Sequence, residues 1–68
     1  MRYQELTRKL RALGCTFMRQ SKGSHEIWRN PSRNISAVIP NHPGDLPKGT
    51  LRAILKQLGI DQNEFDAA

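Results

Sequence analysis

One cysteine, one tryptophan, one tyrosine and two phenylalanines are all that 68 residues hold of these types, and no long apolar run is present. A lone Cys15 cannot close an internal disulfide, so a reducing cytoplasm is the expected setting. No stretch approaches the roughly 18 apolar residues of a membrane span. Met1–Leu6 lacks the apolar core of a signal peptide. With one cysteine and two histidines, neither Cys-x-x-Cys nor His-x-x-x-His occurs, so no metal site is expected. No glycine-rich nucleotide loop is present, and no cofactor is expected. No repeat, linker or low-complexity segment divides the chain, and residues 1–68 read as one domain. A domain of this size buries only about 60% of the surface its unfolded chain exposes. Any chemistry therefore sits on an open face and uses few residues.

Acidic residues are also scarce: six Asp and Glu face eleven Lys and Arg, for a net charge of +5. Asp61, Glu64 and Asp66 crowd the C-terminal end, so Met1–Ile60 is more basic than the total suggests. Such a surplus favours a polyanionic partner, either nucleic acid or an acidic protein. Charge kept for solubility is the plain alternative.

Tyr3, Leu6, Leu10 and Leu13 recur at spacings of three and four and form one apolar helical stripe, closed by Gly14. Cys15–Gln20, His25–Arg29 and Ile35–Ile39 read as strands, separated by turns at Ser21–Ser24 and Asn30–Asn34. Pro40–Asp45 is a loop, and Pro47 suits the first turn of a helix that carries Leu51, Ile54, Leu55 and Leu58 to Gly59. In the tail, Asp61 is placed to cap a further turn, with Glu64 at the capping-box position and Phe65 as apolar anchor. The order αβββα is an α+β arrangement, with helices packed on one face of a three-stranded antiparallel sheet. That is the architecture of the double-stranded-RNA-binding domain, a match of topology that carries little functional weight alone.

His25 follows a Lys22-Gly23-Ser24 turn at the start of a strand. Histidine's ordinary pKa of about 6.5 lets it exchange protons near neutrality. RNA cleavage through the 2′-hydroxyl needs one proton removed and one delivered. A surface histidine without a role fits the position as well. Lys22 can hold a phosphate or stand as a solvated turn lysine, and Ser24 can orient a phosphate oxygen or do ordinary turn duty. Ser24 and His25 are sequential and point to opposite faces of a strand, which argues against a serine-hydrolase pair. His42 can pair with His25, contact substrate or pack its loop. Lys48, Arg52 and Lys56, spaced by four, make a basic stripe opposite the leucine face; it either tracks phosphates or is a plain solvent face. Trp28 suits core packing better than base stacking, because few other large residues are available to the core.

Taken in order, Lys22-Gly23-Ser24-His25, Asn30-Pro31, Ile39-Pro40-Asn41-His42 and Gly49–Ile60 resemble the HicA toxins, the RNA-cleaving half of a bacterial toxin–antitoxin pair. The resemblance covers nearly the whole chain. It implies a double-stranded-RNA-binding-like fold, metal-independent mRNA cleavage and His25 as the catalytic histidine. It also implies a HicB-type antitoxin that covers the active surface. Two other readings share the charge: a non-catalytic RNA-binding module of the same fold, and a domain that binds an acidic protein.

Overall fold

In the computed structural model, which describes residues 1–68, the first apolar stripe becomes α1 (Tyr3–Ala12). Leu6 and Leu10 are buried there, while Arg8 and Arg11 stay on the solvent side. Three strands follow, β1 (Thr16–Gln20), β2 (His25–Asn30) and β3 (Ile35–Pro40), paired antiparallel in the order β1-β2-β3. Then come α2 (Lys48–Leu58) and a short α3 (Gln62–Ala67). The expected αβββα order holds, with element ends displaced by single residues and the tail forming a third helix.

The register sorts the sheet into two faces, because residues paired across strands point the same way. Glu26, Trp28 and Asn30 alternate inward with Ala37 and Ile39 and are all buried. His25, Ile27 and Arg29 alternate outward with Ser36 and Val38 on the face that no helix covers. A bulge between Phe17 and Arg19 adds one residue to β1, so Phe17 pairs with Trp28 on the helix side and Arg19 with Ile27 on the open side.

Trp28 is fully buried, which bears out the core reading. Arg11 lies over its ring at 4.9 Å and Phe17 meets it edge-on at 6.1 Å. Leu6, Leu10, Ile39, Ile54, Leu58 and Phe65 complete one core between sheet and helices. Asn30, also buried, donates its amide to the Leu58 carbonyl at 2.7 Å and satisfies the C-terminus of α2. Gly59 ends that helix at φ 67, where an added Cβ would come within 2.6 Å of Arg33 Cδ. Asp61 does stand at the N-cap of α3, but it makes no side-chain cap hydrogen bond, so the expected capping box does not form. The helix is held through buried Phe65 instead, with Lys9 Nζ at 5.0 Å from its ring.

Candidate functional site

His25 is the first residue of β2 and is exposed on the open face, across from Pro40 at the end of β3. Its backbone fixes the preceding turn: its N–H donates to the Lys22 carbonyl at 2.9 Å, and its carbonyl accepts from Ser21 N–H at 2.8 Å. Gly23 takes φ 56, a conformation that side-chain-bearing residues avoid. The Gln20 amide closes the loop from outside, donating to the carbonyls of Gly23 at 2.8 Å and His25 at 3.1 Å. The imidazole is therefore carried on a firmly hydrogen-bonded bend with its side chain in solvent.

Lys22 and Ser24 are exposed beside it. Asn41 N–H donates to the Ser24 carbonyl at 2.8 Å, which fastens the loop after β3 to the turn. This bond brings His42 to the same end of the sheet as His25. His42 is exposed, with Nδ1 at 3.4 Å from the Pro43 carbonyl. Lys48, Arg52 and Lys56 are all exposed on α2, as their spacing required. Lys48 and Arg52 border a shallow groove of about 650 Å³ with Gln62 and Asp66, and no hydrogen bond or ion pair links the stripe to His25. No group of three or more His, Cys, Asp or Glu residues converges anywhere in the structure.

Beneath the turn lies a residue that sequence reasoning passed over. Glu26 is 5% exposed, yet its carboxylate is fully engaged. Oε1 accepts from Tyr3 Oη at 2.6 Å and from Trp28 Nε1 at 2.9 Å, and Oε2 accepts from Asn41 Nδ2 at 3.0 Å. Burial alone would raise this carboxyl's pKa. The hydrogen bonds from Tyr3, Trp28 and Asn41, with the charge of Arg11, outweigh it and hold the pKa below its ordinary 4.5. Burial also pushes the Tyr3 hydroxyl up, and the bond to Glu26 and its charge push it further, to about 12.

The family described as HicA toxin of bacterial toxin-antitoxin matches residues 3–60. The chain belongs to the HicA toxin family. No curated protein matches it. As a family member it is the toxin component of a toxin–antitoxin pair. The matched span takes in α1, the sheet and α2 and stops before α3, so the His25 turn, the Glu26 network and the basic stripe all lie inside it. No helix of this HicA-family protein is long and apolar enough to cross a membrane.

The pair Tyr3–Glu26 gives the fold a measurable pH signature. Glu26 titrates lower folded than unfolded, so its contribution is complete above about pH 4.5 and is lost as pH falls through its lowered folded value. Tyr3 titrates higher folded than unfolded, so its contribution is complete below pH 10 and is lost as pH rises toward about 12. Tyr3 is the sole tyrosine, so tyrosinate absorbance reads it directly. A titration midpoint near the ordinary value of 10 would remove the Tyr3–Glu26 bond from this account.

Proposed function

We propose that this HicA-family toxin is a cytoplasmic endoribonuclease that cleaves mRNA through His25, without a metal ion, and is silenced by a HicB-type antitoxin. The observation that carries the reading is the exposed imidazole of His25 on the hydrogen-bonded Gly23-Ser24 bend, at the sheet's uncovered face. The 2′-hydroxyl oxygen of a ribose attacks the adjacent phosphorus as its proton leaves. The bond from phosphorus to the 5′-oxygen breaks, and that oxygen takes up a proton. His25 carries at least one of these transfers. Lys22, three residues upstream across the bend, offsets charge on the phosphoryl oxygens, and Ser24 helps orient them.

Lys48, Arg52 and Lys56 supply phosphate contacts that any RNA sequence satisfies. The open face presents Ile27 and 45%-exposed Val38 between Arg19 and Arg29, an apolar centre with cationic flanks. That pattern suits an acidic protein partner, and a cover over this face closes access to His25.

The chemistry specifies its products. Single-stranded RNA incubated with the protein in EDTA is expected to yield 2′,3′-cyclic phosphate and 5′-hydroxyl ends, while 2′-O-methyl RNA stays whole. Products bearing 5′-phosphates would rule out 2′-hydroxyl attack. Tight binding of RNA that is never cut would favour the non-catalytic RNA-binding module instead.

A further inference from the structure

A cleft of about 250 Å³ opens between Arg2–Gln4 at the start of α1 and Asn41–Gly44 after β3. It is a built feature rather than a gap between loose segments. Tyr3 on one wall and Asn41 on the other hold opposite oxygens of the same buried carboxylate, at 2.6 and 3.0 Å. The walls are tied again where Leu46 N–H donates to the Met1 carbonyl at 2.7 Å and the Met1 ammonium meets Asp45 at 3.4 Å. The width of the cleft is thus set by the fold.

Apart from the Tyr3 hydroxyl and one Asn41 amide hydrogen, the polar side-chain groups lining it have few commitments. The side chains of Arg2 and Gln4 enter none of the protein's side-chain hydrogen bonds or ion pairs. Asn41 spends an amide hydrogen on Glu26 and keeps Oδ1 free, and His42 keeps Nε2 free. Amide and imidazole groups set donors beside acceptors, which is what the hydrogen-bonding edge of a base requires. The volume lies just below the ~300–1,000 Å³ of sites for drug-sized ligands, the scale of one base and not of a duplex. Arg2 adds the positive charge that the phosphate of the same nucleotide needs.

We propose that this cleft is a subsite for one unstacked base of the RNA, next to the phosphodiester cut at His25. The proposal rests on the ribonuclease reading above. His25 lies on the open face and the cleft on the helix side, but both are at the same end of the sheet, and the bond from Asn41 N–H to the Ser24 carbonyl joins them. A single strand rounding that end meets both sites, whereas a duplex is too stiff to do so. The cleft thereby makes the toxin select single-stranded RNA, with a base preference at a position flanking the cut.

The test has two arms. Amide NMR of the wild-type protein is recorded with the four nucleoside 5′-monophosphates and with inorganic phosphate. At least one nucleotide should shift Tyr3, Gln4, Asn41 and Gly44 saturably, inorganic phosphate should not reproduce the pattern, and the double variant Arg2→Ala/Gln4→Ala should weaken binding about tenfold. In the second arm, Gln4→Ala should relax the base preference beside the cut and Arg2→Ala should raise KM more than it lowers kcat. Both residues are exposed, so neither variant endangers the fold. Equal shifts from phosphate, shifts confined to α2, or cleavage with unchanged preference and KM in both variants would each sink the subsite and leave the ribonuclease reading standing. Nucleotide binding in the cleft by a protein that cuts no RNA would sink the ribonuclease reading and, with it, the placing of the subsite beside a cut, leaving a base-binding cleft on a non-catalytic RNA binder.

Discussion

Replacing His25 by Ala is expected to lower RNA cleavage by a factor of about 10² or more, the usual contribution of general acid–base catalysis, with the fold intact. The two halves of this expectation have separate grounds. The loss follows from removing the only imidazole on the Gly23-Ser24 bend. The intact fold follows from the bonding there: every hydrogen bond His25 makes uses its backbone N–H or carbonyl, and alanine keeps both. Its side chain is exposed, so stability should stay within about 0.5 kcal/mol of wild type. In cells, induced wild-type protein should arrest growth and the variant should not. Cleavage by purified His25→Ala at the wild-type rate, with an unchanged melting temperature, would take His25 out of the reaction. His42→Ala gives a useful contrast. His42 stands at the same end of the sheet but on the cleft side, so its loss should act on substrate affinity first.

How far the sequence carries depends on the kind of interaction involved. Helix and strand order was legible because it rests on local periodicity: Leu6 and Leu10 for α1, and Ile54, Leu55 and Leu58 for α2. Trp28 was legible as core because so short a chain has few large residues to bury. His25 was legible as an exposed residue on a bend because Gly23 marks the turn. The tail shows the limit of local signals. Asp61 and Glu64 have capping-box spacing, yet burial of Phe65 holds α3 without the box. Met18 gave no sign of the bulge in β1, which is set by how β1 pairs with β2.

Glu26 was missed for a different reason. A glutamate in a strand beside several basic residues reads as solvent-facing, and its partners Tyr3 and Asn41 lie 23 and 15 residues away. One signal was available. Trp28 belongs in the core of so short a chain, and residues two apart on a strand share a face, so Glu26 must point inward too. A buried carboxylate then requires donors, and Tyr3, Trp28 and Asn41 supply them.

Glu26→Ala should rank with truncation of the largest core side chains in its damage to stability. It removes the only acceptors of Tyr3 Oη, Trp28 Nε1 and Asn41 Nδ2; buried Trp28 Nε1 and part-buried Tyr3 Oη left without partners cost about 1–3 kcal/mol each, while exposed Asn41 turns to water. A total on the order of 3–5 kcal/mol is a large share of the ~3–10 kcal/mol that stabilises a chain of this length. At about 4–8 °C per kcal/mol, the melting temperature should fall by tens of degrees or the transition should vanish. Glu26→Gln is the informative companion. Its amide oxygen still accepts from Tyr3 and Trp28, but its nitrogen now faces the Asn41 amide nitrogen. Asn41 can turn its amide by half a rotation and accept the Gln nitrogen through Oδ1, so Tyr3, Trp28 and the Gln amide all have partners and the Asn41 nitrogen faces solvent. The loss should then shrink to about 1–2 kcal/mol, the difference between charged and neutral hydrogen bonds. The acid-side fall in stability should disappear with the carboxyl, and the Tyr3 hydroxyl should titrate closer to its ordinary 10. Asn41→Asp added to Glu26→Gln should recover part of the stability, because an Asp carboxylate accepts from the Gln amide. Thermal melts of the three variants against pH decide the matter: equal losses in Glu26→Ala and Glu26→Gln would mean that the carboxylate's hydrogen bonds do not hold this end of the sheet together.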